Sequence, residues 1–220
     1  MSTNRAFEAI RAGNAETLRE VLADDPTLAM SRDETGLSPL MQACYRKRPD
    51  LIALLRTTGC KLDLFEAAAV GDSDCAAALL VEGPQRLHEY SSDGFTALHL
   101  AAFFGHEPVV SLLLEHGADA DVVSRNGADL RPIHSAAAAA DHASVQKLLD
   151  CGADVHARQR GGFTALHAAA AAGEIGLIET LLGRGADPGH AADDGKDAAA
   201  IADERGHADA AGQLRGRLAR

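Results

Sequence analysis

Three histidines recur at nearly regular spacing: His99, His134 and His167 lie 35 and then 33 positions apart. Imidazole is the commonest metal ligand and the usual proton carrier near neutral pH. A zinc site needs its ligands within about 2.1 Å of one ion, and nothing in this sequence spacing by itself brings the three side chains to one point. A structural role is expected instead. Each imidazole is read as bonding within its own repeat, joining a helix start to the finger before it. His106 and His207 are read as structural too, and His88, His116, His142, His156 and His190 as solvated.

Other reactive patterns fail on inspection. Gly189 to Gly195-Lys196 looks like a phosphate-binding loop, but five residues separate its glycines and Asp197 follows the lysine. A phosphate loop has four residues there and a Ser or Thr after the Lys. Asp193 and Asp194 would also repel a phosphate. His88-Glu89 lacks the second histidine of a zinc-protease helix, and no serine elbow is present. Cys44, Cys60, Cys75 and Cys151 show neither metal-ligand spacing nor disulfide-scaffold density. They are read as free thiols, three at packing positions and Cys151 at a helix end. No catalytic residue, metal ligand or cofactor is expected.

The elements that carry these residues are foreshadowed by composition. The chain has 220 residues, 46% of them hydrophobic but only 4% aromatic, with no Trp. Much of the apolar content is alanine, as in Ala136 to Ala140 and Ala168 to Ala172. Such a core suits short helices in close approach, and not a β-sandwich built on β-branched and aromatic residues. The 32 acidic residues outweigh 21 basic ones, giving a net charge of −11. A nucleic-acid binder needs a cationic stripe; the tail Arg215, Arg217, Arg220 is too short for one. An anionic membrane surface is disfavoured on the same ground. The N-terminus lacks a signal-peptide core, and no stretch is apolar enough to span a bilayer. A cytoplasmic monomer is the expectation.

The chain repeats itself. Gly94-Phe-Thr-Ala-Leu-His99 returns as Gly162-Phe-Thr-Ala-Leu-His167, with Arg131-Pro-Ile-His134 between. Each is followed by small residues, a hinge and an apolar run, closed by Gly117-Ala-Asp119, Gly152-Ala-Asp154 or Gly185-Ala-Asp187. Thr96 is placed to cap a first helix, and Pro39 and Pro132 suit its first position. Val109, Val110, Leu113 and Leu114 have helical spacing and predict a second helix. One unit cannot bury both helices alone, so neighbours must stack.

This pattern resembles the ankyrin repeat, whose period is about 33 and whose signature includes T-P-L-H-x-A. The hinge falls at Gly13, Lys47, Gly71, Gly105, Ala140, Gly173 and Gly206. An all-α solenoid of about seven stacked helix-turn-helix units with hairpin fingers is expected. Its units are 1–31, 32–62, 63–91, 92–124, 125–157, 158–190 and 191–220, and the last is a degenerate polar cap.

Two departures carry information. The step from Lys47 to Gly71 is only 24 residues, so the third unit lacks a finger, as does the first. Asp63-Leu-Phe-Glu66 then opens a helix directly with a capping-box pattern. A seam near residue 63 is expected, with the finger row interrupted and the curvature changed. In the fifth unit, two extra residues between Gly127 and His134 predict a bulged finger. Arg131 in place of the capping Thr predicts a frayed helix start.

What remains is a surface. The resemblance implies partner contacts on the concave side, from finger tips and inner-helix positions. Those positions hold Tyr45 and Arg46, then Phe95, Phe103 and Phe104, then Arg125 and Asn126, then Arg158, Arg160 and Phe163. Aromatics and arginines are enriched at binding hot spots. One of Phe103 and Phe104 is expected in the core, Phe95 and Phe163 are expected to brace the next finger, and Tyr45 and Arg46 to be exposed. The resulting reading is a non-catalytic adaptor or regulator that binds a protein. Its alternatives are an inhibitory partner masking an enzyme encoded nearby, or a small-molecule binder with a groove at the seam.

Overall fold

The structure is a computed structural model and describes residues 2–218; Arg220 of the basic tail lies outside them. The fourteen helices among the described residues are α1 (Ser2–Ala12), α2 (Ala15–Asp24), α3 (Pro39–Tyr45), α4 (Pro49–Arg56), α5 (Leu64–Val70), α6 (Ser73–Glu82), α7 (Ala97–Phe103), α8 (Glu107–Glu115), α9 (Pro132–Ala138), α10 (His142–Asp150), α11 (Ala165–Ala172), α12 (Ile175–Gly183), α13 (Ala198–Glu204) and α14 (Ala208–Leu218). Odd-numbered helices stack on one another as an inner layer, and even-numbered ones form the outer layer. Single turns of 3₁₀ helix follow α2 at Pro26–Met30 and α6 at Pro84–His88.

Each pair turns where the sequence placed its hinge. All seven hinge residues have positive φ, from 52° at Lys47 to 81° at Gly206. Lys47 and Ala140 reach this left-handed region without being glycine, a strain of about 1–2 kcal/mol each. At Gly71 and Gly173 glycine is needed for space as well. A Cβ there would stand 2.6 Å from the His106 ring and 2.5 Å from the His207 ring.

The inner layer is close-packed because its contacts are alanine. Ala101, Ala102, Ala136, Ala137, Ala169 and Ala170 are wholly buried at matching positions of α7, α9 and α11. A larger side chain there would overpack the layer, at a cost of about 1–3 kcal/mol. The outer layer supplies the bulk through Val109, Val110, Leu113, Leu148, Leu177 and Leu181, all fully buried.

The fingers are tight hydrogen-bonded turns. Asp33 N donates to Leu37 O, Ser91 N to Phe95 O, Gln159 N to Phe163 O and Ala192 N to Lys196 O. The finger before α9 closes from Ser124 N to Leu130 O, two residues wider, with Asp129 at φ 53°. That is the bulge the insertion predicts. The expected fraying beside it does not occur. α9 starts at Pro132 and is as long as α7, because Pro132 presets the first turn and His134 Nδ1 accepts from the Arg131 N–H at 3.0 Å.

No finger precedes α5. Its start is fixed by the capping box of Asp63 and Glu66, and Arg32 bonds both carboxylates at 2.9 Å. Successive fingers from the one before α7 onward are joined backbone to backbone: Arg125 N to Gly94 O, Arg160 N to Ala128 O and Asp193 N to Gly161 O. The finger before α3 touches the finger before α7 at Gly36 and Ser92, with no such bond among the described residues. In the outer layer, α4 and α6 do not pack together as the other neighbouring outer helices do.

Candidate functional site

The three periodic histidines are clasps. His99 Nδ1 accepts from Thr96 N at 3.3 Å, while Nε2 bonds Leu130 O at 3.0 Å. His134 bonds Arg131 N and Ala157 O, and His167 bonds Thr164 N and Lys196 O. A carbonyl only accepts, so each Nε2 carries the proton and each ring is neutral. Burial holds His99 down to about 4 and lowers His134 and His167. By the unit bounds above, the His134 bond stays within its own repeat, whereas His99 and His167 reach into the next one; in all three, Nε2 meets the segment that leads into the following inner helix. With both nitrogens engaged, these rings are neither bases nor ligands. His190 was also misplaced as solvated. It is half-buried, its ring packs 5.7 Å from His167, and its Nε2 bonds Gly162 O at 3.0 Å.

The aromatics divide by role. Phe95 and Phe163 pack on the histidine of their own inner helix, with ring centroids 5.7 Å from His99 and 5.6 Å from His167, and Phe95 borders one cavity together with Leu130 of the next finger. Phe103 is 44% exposed, and Phe104 is half-buried against the core. Tyr45 was expected to be exposed and is half-buried. Its ring lies 5.5 Å from Phe104 and 6.2 Å from Phe103. Its hydroxyl donates to Asp93 in the finger before α7. This contact spans from α3 to α7 and exists because no finger stands between them. Arg46 is exposed as expected.

Two cavities open beside this cluster. One, of about 220 Å³, is bordered by Tyr45, Phe95, Phe103, Leu130, Ala138 and Gln159. The other, of about 480 Å³, lies toward the hinges and is bordered by Lys47, Ile52, Phe103, Phe104 and Ala138. Phe103 and Ala138 belong to both, so Phe103 forms a ridge between them. Leu130 and Gln159 were missed from the sequence. Leu130 closes its finger as Phe95 and Phe163 close theirs, and allowing for the two inserted residues aligns it with them.

None of the four predicted arginines borders either cavity. Arg125 is exposed with its guanidinium 3.9 Å above the Tyr90 ring, a cation–π contact. Arg158 is exposed and lies 3.4 Å from His190 Nδ1. Arg160 is exposed, and its backbone N–H joins two fingers. Asn126 serves the finger itself: its Oδ1 accepts from Ser124 Oγ and Ala128 N. Among the described residues no group of three or more His, Cys, Asp or Glu is placed to hold a metal. Among the described residues no helix is long and apolar enough to cross a membrane.

Comparison with known proteins adds the context. A family profile described as ankyrin repeats in three copies matches residues 64–159, 116–192 and 133–216. The probable E3 ubiquitin-protein ligase XBOS31 of Oryza sativa subsp. japonica is 42% identical over 94 residues, 41% of this chain and 20% of that protein. The human NAD-capped RNA hydrolase NUDT12 is 40% identical over 60 residues, 27% of this chain and 13% of its own. The human transient receptor potential cation channel subfamily A member 1 is 34% identical over 102 residues, 41% of this chain and 9% of the channel. The chain thus spans a fifth or less of each of these relatives. The profile covers more than half of the residues, from the start of α5 almost to the end of α14, and the chain belongs to the ankyrin-repeat family.

Proposed function

We propose that this chain is a non-catalytic protein-binding module, an adaptor or regulator, which receives its partner on the concave face. Ankyrin repeats generally mediate protein–protein interaction, and an all-helical repeat stack offers a rigid, extended surface for it. The observation that carries the reading is the exposed Phe103 ridge between two cavities. A half-exposed aromatic beside an apolar pit is the kind of anchor around which binding energy concentrates. Tyr45, Phe95 and Phe103 form the floor, and Arg46, Arg125, Arg158 and Arg160 stand beyond its edge. Phe104, Phe163 and Asn126 hold that floor in shape.

The same reading divides the chain at the unit boundaries given above, with the seam at residue 63 under the aromatic cluster. It takes the protein as a cytoplasmic monomer that engages neither nucleic acid nor membrane. A small-molecule site at the seam finds little support. In the larger cavity, Arg56 is paired with Asp72 and His106 is bonded to Ala69 O, leaving few convergent polar groups.

The test is capture of partners from native cytosol by the immobilised chain, followed by titration of the purified partner. Phe103→Ala is expected to weaken binding about thirtyfold, the equivalent of about 2 kcal/mol. Arg160→Ala is expected to weaken it less. Unchanged affinity for both variants, with unchanged circular dichroism, would overturn the concave-face assignment.

A further inference from the structure

We infer that the partner docks through an acidic linear segment that seats one apolar side chain in the cavity beside Phe103. This deepens the concave-face reading and rests on it.

The cavity has the size and chemistry of a side-chain pocket. Its volume of about 220 Å³ lies below the range of roughly 300–1,000 Å³ usual for small-molecule sites, and matches one large apolar residue. Phe95, Leu100, Phe103, Leu130 and Ala168 supply apolar walls. The polar atoms of His99 and His134 are already bonded to backbone. An apolar side chain entering here therefore displaces water without breaking the bonds of either imidazole.

The charge comes from an asymmetry. The chain carries 32 acidic residues against 21 basic ones, yet no Asp or Glu borders either cavity. The carboxylate of Asp93, beside the floor, is held by the hydroxyls of Tyr45 and Ser91. Arg46 and Lys47 follow Tyr45, and Arg160 follows Gln159, and both Tyr45 and Gln159 border the cavity. None of these three cations has an ion-pair partner among the described residues. By the same adjacency one exposed carboxylate, Asp129 before Leu130, also lacks an ion-pair partner among the described residues, so three free cations stand against one free carboxylate along the groove, a balance that favours a negatively charged ligand and speeds its approach. A segment running from one cavity to the other crosses Phe103 and Ala138, so those two residues read its passage.

The experiment pans a phage-displayed library of random short linear peptides on the immobilised full chain. Binding of the selected peptides is then measured by fluorescence anisotropy. The expected peptides carry an aliphatic or aromatic residue flanked by Asp or Glu, and Phe103→Ala weakens them about thirtyfold. Ala138 is exposed at the end of α9, so Ala138→Glu and Ala138→Gln are expected to keep the fold, as matched melting curves verify. They differ only in charge. Ala138→Glu is expected to bind about tenfold more weakly than Ala138→Gln, with the gap closing as salt is added. Neutral or basic selected sequences, or equal binding by the two Ala138 variants, overturn the inference. A library that yields no binders overturns it too. In that case a native partner lost on Phe103→Ala still sustains the concave-face reading, whereas a native partner retained by Phe103→Ala removes both.

Discussion

From α7 to α13 the inner helices are fastened by buried neutral imidazoles and by backbone bonds between fingers. Around α5 the fastening is ionic. Glu66 occupies the place of the clasp histidine, is 5% exposed, and is bonded by Arg32. The finger is missing, α4 and α6 part, and a cavity of about 430 Å³ opens beside Arg56 and Asp72. The regular region presents alanines to the concave side at Ala138, Ala139, Ala171 and Ala172. The irregular one gathers Tyr45, Phe103 and Phe104. Regular repetition builds a stack, and breaking the repetition once gives that stack a distinctive face. Departures from local rule in natural proteins fall preferentially at functional sites, and this departure lies directly under the proposed anchor.

Acid separates the two regions most strongly. His99 holds a folded value of about 4, below its ordinary value of 6.5, so in that window protons bind the unfolded chain more tightly. The stability of the neutral clasp is whole above pH 6.5 and is lost as pH falls toward 4. At about 1.4 kcal/mol per unit, His99 alone accounts for about 3 kcal/mol, and His134 and His167 shift in the same direction. Asp63 runs the other way. Burial and the Glu66 charge raise it, so the folded chain holds its proton more tightly than the unfolded chain, and acidification relieves this group. Urea unfolding at pH 7 and pH 4.5 is expected to show the loss, and hydrogen exchange to place the first opening in α7 to α11. Opening first at α3 to α5 would reverse the comparison.

A smaller effect sharpens it. Lys47 and Ala140 are the two hinges that reach positive φ without glycine, one beside α5 and one in the regular array. Lys47→Gly and Ala140→Gly each relieve the left-handed strain and loosen the unfolded chain. A net gain of about 0.5 kcal/mol is expected for each by thermal melting. A loss at Lys47 alone would show that its side chain contributes to the wall of the larger cavity.

Much of the fold was legible because it rests on local rules read at a fixed period. The hinge register, including Lys47 and Ala140, the Asp63 capping box and the widened finger before α9 all follow from residue type and spacing. The concave face was less legible because it depends on contacts between elements that are not neighbours in the repeat. Tyr45 reads as an exposed end of α3 until the missing finger brings Asp93 and Phe104 to it. His99 reads as serving its own repeat until stacking delivers the Leu130 carbonyl to Nε2. Arg131 reads as a poor cap until Pro132 and His134 do the work of the absent hydroxyl.

The central claim is that omission of one finger lets the Tyr45 side chain at the end of α3 reach past α5 to Asp93, Phe103 and Phe104, and so makes the aromatic cluster. Tyr45 reports it directly, since burial and the Asp93 carboxylate both push its phenol up. The chain has only two tyrosines, so Tyr90→Phe leaves Tyr45 as the sole phenol for an ultraviolet tyrosinate titration. The expected result is no ionisation near the ordinary value of about 10, with onset well above it, and a downward shift when Asp93→Asn is added. Ionisation near 10 in the Tyr90→Phe chain, unmoved by Asp93→Asn, would contradict the contact and the seam-built groove that depends on it.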